Sequence, residues 1–350
     1  MSFQIRIDAG HGEAVTVDAE GGDTILDALL MGGEAFSYSC QAGNCGTCRC
    51  ELLSGDVLEL ESSEHALSGS DRRRGFVLAC RTQVWSDVVI RQPDEEEFVV
   101  HPSRMMQCVV SSLERVAADV LRLRLRVVSG GPFSFSAGQH AVLEFPFAPG
   151  RLRHFSLANR PDESELEFHI RDTGEGTEGR PAWEHLASGD PVRVEGPHGS
   201  AYLRQRHSGP VVAVAGGTGL APVRSILRTL AITGSGGAPV HLYVGARTRD
   251  HLYGIDEMSR CLAAIPGSRL HVVLSEEAGA LEPGWRHGLV TDALAEDLPD
   301  LTGFVAYLAG PGAMVAVADA LVRSRGVAAR DVHADGLPAP AARSGALEAA

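Results

Sequence analysis

Cys40-Gln41-Ala42-Gly43-Asn44-Cys45-Gly46-Thr47-Cys48-Arg49-Cys50 holds four of the chain's seven cysteines, and Cys80 follows 32 positions after Cys48. A C-x4-C-x2-C run with one distant cysteine is the spacing of four thiolates around the two irons and two sulfides of a 2Fe-2S cluster. Zinc and unrelated thiols are the competing readings. Zinc sites pair two separate C-x2–4-C knuckles, and here one knuckle is missing. The expected ligands are Cys40, Cys45, Cys48 and Cys80. Gly43 and Gly46 are expected to let backbone N–H groups approach the sulfurs. Cys50 opens the apparent strand 50–53 and reads as a bystander. Cys108 and Cys261 stand alone in apolar stretches, as small core residues do.

The composition limits the chemistry. All 31 basic side chains are Arg and none is Lys, which excludes Schiff-base chemistry and the P-loop lysine of NTPases. Net charge is −14, so phosphate-driven nucleic-acid binding is not expected. No apolar run reaches the ~18 residues of a membrane span, and residues 1–8 lack a signal-peptide core. Cytoplasmic location is expected. Residues 1–100 carry seven arginines against eighteen acids, a balance of −11, which serves either solubility or steering of a basic partner.

Outward from the cysteines, 4–8 and 14–18 read as a hairpin and 24–31 as a short amphipathic helix. Residues 91–104 (RQPDEEEFVVHPSR) read as a linker. The stretch 120–127 (VLRLRLRV) alternates strictly, with Leu121, Leu123 and Leu125 on one face and Arg122, Arg124 and Arg126 on the other. A solvated arginine face is expected there, docking of the first segment being the other reading. Short strands at 141–145, 153–158, 166–171 and 191–195 suggest a small antiparallel β-barrel. From about 209 the pattern changes. Apolar strands at 211–215 (VVAVA), 240–244, 270–274 and 304–308 alternate with helices, notably 312–323, which predicts an α/β doubly wound parallel sheet. Gly216-Gly217-Thr218-Gly219-Leu220-Ala221-Pro222 joins the first of these strands to a helix, and a helix N-terminus after a glycine turn suits a phosphate.

This order of motifs resembles the ferredoxin–NADP reductase superfamily. More narrowly, it is similar to the reductase components of bacterial aromatic-ring-hydroxylating dioxygenases of the naphthalene type. The strings that carry the likeness are SYSC…CGTCRC (37–50), FHIR (168–171), AYLRQ (201–205) and GGTGLAPV (216–223), and it extends to about residue 336. The resemblance implies a plant-type 2Fe-2S ferredoxin domain of α+β (β-grasp) fold at 1–92 and a linker at 93–101. It further implies an FAD-binding antiparallel β-barrel at 102–207, an NAD-binding α/β domain at 208–336 and a mobile tail at 337–350. Arg153 would contact the FAD phosphates, Phe155 would stack on the isoalloxazine where most members have Tyr, and Ser156 would lie near flavin N5. His169, Ile170 and Arg171 would border the flavin. Gly217, Thr218 and Gly219 would cradle the nicotinamide dinucleotide, with Arg247 and Arg249 at the adenosine ribose.

Three departures stand out. Ala309-Gly310-Pro311 replaces the family's Cys-Gly-Pro beside the nicotinamide. Residues 172–180 (DTGEGTEGR) replace a phosphate loop. Asp335-Gly336-Leu337 offers no terminal aromatic. The implied activity is transfer of electrons from NADH through FAD and the 2Fe-2S cluster to a terminal oxygenase or an intermediate ferredoxin, by a monomer. A diiron-monooxygenase reductase and a standalone diaphorase or flavin reductase are the alternatives.

Overall fold

A computed structural model describes residues 2–8, 14–34, 36, 38, 41–43, 46, 48–62, 66–67, 69–91, 101–172 and 180–337. The first sheet runs in the order Val15–Glu20, Ser2–Ile7, Val88–Arg91, Arg49–Ser54, Phe76–Leu78. Its pairings are antiparallel except that of Ser2–Ile7 with Val88–Arg91. Strand alternation buries Ile5 and Ile7 and turns Gln4 and Arg6 outward. Helix Ile25–Met31 begins where Thr24 Oγ accepts the Asp27 N–H at 3.1 Å, and it buries Ile25, Leu26, Ala28 and Leu29 in the core of this sheet. This is the β-grasp arrangement. Cys50 lies fully buried in that core, where burial pushes its thiol up to about 12.

The second sheet is antiparallel, in the order Leu152–Ser156, His140–Glu144, Pro191–His198, Arg104–Ala117, Val120–Ser129, Glu165–Arg171. A bridge from Leu157 to Phe168 joins the first strand to the last and closes a barrel. Leu121, Leu123 and Leu125 face its core. The arginine face of the same strand is not simply solvated, contrary to expectation. Arg124 stands opposite Glu167 and Arg126 opposite Glu165, while Arg122 pairs with Glu114 at 3.0 Å and approaches Glu167 at 3.6 Å. Acids on both neighbouring strands neutralise the row, as opposite charges across a ladder do.

The third sheet is wholly parallel: Arg286–His287, Arg269–Leu274, Val240–Ala246, Val211–Gly216, Val305–Pro311, Val332–Leu337. Separate cores on its two faces include residues of helices Leu220–Thr233 and Ile255–Ala263 on one side and Val290–Asp297 and Gly312–Ser324 on the other. The last strand went unread in the sequence because its HADG string breaks the apolar run. It forms by pairing with Val305–Pro311 and takes in Leu337, where a tail was expected to start. The linker residues 92–100 and tail residues 338–350 lie outside the described residues.

Leu123→Ala is expected to cost about 2–5 kcal/mol, because Leu123 is fully buried in the barrel core. Arg126→Ala, at an exposed site, should stay within about 0.5 kcal/mol. Urea unfolding of the two variants checks the contrast, and equal stabilities would contradict this placement of the core.

Candidate functional site

Barrel and parallel sheet meet in a cleft lined by His140, His154, Phe155, Ser156, His169, Thr218, Gly219, Ala221, Ala309, Gly310 and Asp335. Strand Leu152–Ser156 supplies the barrel side by alternation. Arg153 is buried, and exposed His154 and half-buried Phe155 and Ser156 line the cleft. Phe155 is wedged edge-on against Phe145, with ring centroids 6.1 Å apart. Ser156 Oγ donates to Asp335 Oδ2 at 3.0 Å.

The opposite wall forms at the switch point between strands Val211–Gly216 and Val305–Pro311, where a doubly wound sheet opens a crevice. Gly217–Gly219 make one 3-10 turn that leads into helix Leu220–Thr233. The glycine at 219 is required by the protein itself. A Cβ there would lie 2.2 Å from the Ala309 carbonyl oxygen, so the turn and the neighbouring strand touch backbone to backbone. This contact brings Thr218 and Gly219 beside Ala309 and Gly310.

The cleft thus gathers Phe155, Ser156, His169, Thr218, Gly219, Ala309 and Gly310. The remaining expected residues lie around it. Ile170 packs its side chain into the barrel core, because alternation sends it opposite to His169. Arg171 donates to Asp119 at 2.8 Å, and Arg247 approaches the same carboxylate at 3.8 Å. Arg249 lies over the Trp285 ring at 5.7 Å, and its backbone N–H donates to Glu277 at 2.8 Å. Pro311 is exposed at the strand end. Four cleft residues were not expected as site residues: His140, His154, Ala221 and Asp335. Strand pairing brings in two of them, His140 opposite Ser156 and Asp335 opposite Ala309, while His154 lies on the Phe155 strand and Ala221 in the helix after the glycine turn.

In the first module, Cys48 and Cys80 bring their sulfurs within 3.2 Å. The hydrogen bond with Cys48, opposed by burial and helped by the Gly43 backbone, holds the Cys80 thiol down to about 7. Gly43 has φ +75, and a Cβ on it would meet Arg81 Cγ at 2.9 Å, so the loop is drawn in close around this pair. Two adjacent soft donors on a tightly drawn loop fit an iron–sulfur cluster. Cys40 and Cys45 lie outside the described residues. On the cleft side, the half-buried Phe155 ring and the Ser156 hydroxyl line the cleft, and the buried Arg153 guanidinium lies outside that lining on the same strand, a set of ring, hydroxyl and nearby cation that suits a flavin.

Behind the cleft, Glu167 takes Arg224 at 2.9 Å, Arg124 at 3.0 Å and His169 at 3.2 Å. Burial raises its pKa, but the His169 hydrogen bond and the Arg224 charge outweigh that and bring it to about 2.

The profile of the 2Fe-2S iron-sulfur cluster binding domain matches residues 9–84. That of the oxidoreductase FAD-binding domain matches 107–202, and that of the oxidoreductase NAD-binding domain matches 213–320. The chain is 38% identical to the reductase component of the naphthalene 1,2-dioxygenase/salicylate 5-hydroxylase systems of a Ralstonia species, over 91% of this chain and 94% of that one. It is 37% identical to the ferredoxin–NAD(+) reductase component of the Xanthobacter autotrophicus alkene monooxygenase system, over 90% and 93%. Among solved structures, an Amycolatopsis cytochrome P450 reductase matches with TM-score 0.66 and 34% identity, covering 95% of this chain and 98% of that one.

A carboxylate whose folded pKa is depressed stabilises the fold above its unfolded pKa and loses that contribution as pH falls through the folded value. The stability gap between the parent and Glu167→Gln should therefore be widest near neutral pH. It should shrink below about pH 4.5 and close near pH 2. Urea unfolding at stepped pH reads it, and a gap independent of pH would show that Glu167 carries no depressed pKa.

Proposed function

Since the chain belongs to the family of ferredoxin–NAD(P)+ reductase components of bacterial oxygenase systems, we propose that it carries electrons from NADH to an aromatic-ring-hydroxylating dioxygenase, directly or through a separate ferredoxin. The observation that carries this reading is the coincidence of the paired sulfurs of Cys48 and Cys80 with a cleft that joins the flavin strand to the nucleotide turn. When bound, FAD accepts a hydride and returns its two electrons one at a time, as a 2Fe-2S cluster requires.

The chain's own residues bind and align. Cys40, Cys45, Cys48 and Cys80 hold the cluster. Arg153 neutralises the flavin phosphates, and Phe155 lies against its ring. Ser156, fixed by its bond to Asp335, holds a hydroxyl at the reacting edge. His169, Ile170 and Arg171 border the flavin, Ile170 through its backbone alone. Gly217, Thr218 and Gly219 seat the dinucleotide with Ala309, Gly310 and Pro311 beside it. No acid–base pair is needed, because hydride transfer depends on proximity and alignment. The module limits are placed at 1–92, 102–207 and 208–336. No helix among the described residues is long and apolar enough to cross a membrane. Cytoplasmic location and a monomeric state complete the reading.

The second reading, a reductase for a monooxygenase, is favoured by the alkene monooxygenase and propane 2-monooxygenase relatives. Rates of electron delivery to a dioxygenase component and to a diiron hydroxylase distinguish the two, and faster delivery to the hydroxylase would reverse the order of preference.

Cys45→Ala should abolish the visible absorbance of the cluster and still allow flavin bleaching by NADH, whereas Cys50→Ala should keep two irons per chain. Iron assay and anaerobic spectra check both. Iron retained in the first variant, or lost from the second, would revise the ligand set.

NADH is expected to outperform NADPH. Arg247 and Arg249 offer charge to a 2′-phosphate, but Asp119 lies near the first and Glu277 and Glu282 near the second. These acids offset the cations and repel a dianion. Steady-state ferricyanide reduction should give a higher kcat/KM with NADH and measurable turnover with NADPH. A higher value with NADPH would overturn the assignment.

A further inference from the structure

A line of buried polar side chains crosses the joint between the barrel and the parallel sheet, behind the cleft. Glu167 and His169 are two apart on strand Glu165–Arg171 and therefore share a face. His169 Nε2 lies 3.2 Å from Glu167 Oε1, and its Nδ1 lies 3.0 Å from the Tyr253 hydroxyl. That hydroxyl lies 3.3 Å from the carbonyl oxygen of Gly217, the first residue of the nucleotide turn. At the other end, Arg224 of helix Leu220–Thr233 reaches Glu167 at 2.9 Å, Glu257 at 2.7 Å and the Ala158 carbonyl of the barrel at 2.7 Å. His169, Tyr253, Glu167 and Arg224 are each at most 7% exposed.

The protons in this line have one arrangement. Glu167 is ionised and accepts only, so His169 must present N–H at Nε2. Burial keeps His169 neutral, so its Nδ1 carries a lone pair and accepts the Tyr253 proton. Tyr253 has a single hydroxyl proton, directed at Nδ1 with the Gly217 carbonyl as a second, longer acceptor. The ring of Tyr253 also sits edge-on to His169, with centroids 5.1 Å apart. The nucleotide half is therefore tied to one barrel strand at two points, the Gly217 turn through Tyr253 and the adjoining helix through Arg224. Both ties end on one face of the strand that borders the cleft, at His169 and Glu167.

We propose that Tyr253, acting through His169 and Glu167, is a positioning residue for hydride transfer. It fixes the Gly217 turn against strand Glu165–Arg171, which borders the cleft, and so sets the separation of the two cofactor sites. Tyr253 and Arg224 do not line the cleft, and their effect on the reaction is exerted through the residues that do. The proposal rests on the reading that FAD occupies the barrel side and NADH the Gly217 turn. Alignment is where hydride transfer is most sensitive, since small displacements of reacting atoms cost large factors in rate.

Tyr253→Phe removes the hydroxyl and keeps the ring. In the FAD- and cluster-loaded protein, anaerobic stopped-flow bleaching of the flavin over a range of NADH concentrations should show a limiting rate lower by about tenfold. The apparent NADH affinity should change by less than about twofold, and the isotope effect with NADH deuterated at the transferring C4 position should rise. His169→Gln keeps a donor toward Glu167 but loses the Nδ1 acceptor. It should show the same loss, and the double variant should lose no more than either single one. An unchanged limiting rate in Tyr253→Phe, a loss confined to NADH affinity, or losses that multiply in the double variant would each overturn the proposal. If the unaltered protein held a flavin that NADH did not reduce, the cofactor assignment would fall and the proposal with it.

Discussion

The ion pair between Arg224 and Glu167 is the constraint on which the rest of the arrangement hangs. Two buried charges are worth placing only where each is fully answered, because removing either partner strands the other away from water at a cost of about 3–5 kcal/mol. Arg224 is answered by Glu167, Glu257 and the Ala158 carbonyl, and Glu167 by Arg224, Arg124 and His169. The partners come from both modules, so the pair is satisfied only when barrel and parallel sheet meet in one orientation. That orientation defines the cleft. Ser225 to the Asn159 carbonyl at 2.6 Å and Arg228 to Glu163 at 2.6 Å reinforce the same seam.

The first module is held by a different device. Arg49 and Arg74 place their guanidinium groups over the Phe76 ring, each 4.8 Å from its centroid, and share Asp71. Burial lowers the pKa of both arginines, that of Arg74 to about 10, and Asp71 opposes the shift in each. From this cluster Arg49 donates to Ser200 of the barrel module, and Arg74 donates to the Val332 carbonyl of the parallel sheet at 3.0 Å. Arg73 adds a contact of 2.8 Å to Asp319. Arg49 directly follows Cys48, so the residue that anchors the module to the barrel is the neighbour of a proposed cluster ligand.

Glycines in the two binding loops show how a correct motif can have a second cause. A glycine turn before a helix suggests room for phosphate, and the turn does open on the cleft. Gly219, however, is demanded by the Ala309 carbonyl, and Gly43 by the packing of the cysteine loop against Arg81. The protein's own packing, backbone against backbone at Gly219 and backbone against side chain at Gly43, asks for glycine at both places.

Much of the fold was legible in the sequence because its signals are local. The cysteine spacing, the strict alternation of VLRLRLRV and the apolar strands alternating with helices are each written within a few consecutive residues, where backbone period fixes which side chains share a face. The strand that carries Arg153, Phe155 and Ser156 was read the same way, and their place at a flavin came from the resemblance. What the sequence left open are contacts between residues far apart in the chain. Ser156 meets Asp335 across 179 positions, His169 meets Tyr253 across 84, and Arg73 meets Asp319 across 246. The arginines of the alternating strand illustrate the difference. Their face was readable, but the acids that neutralise it were not, because cross-strand register places Glu165 and Glu167 opposite them. Local periodicity determines the elements. Which charges meet depends on how the three modules dock, and only the tertiary structure decides that.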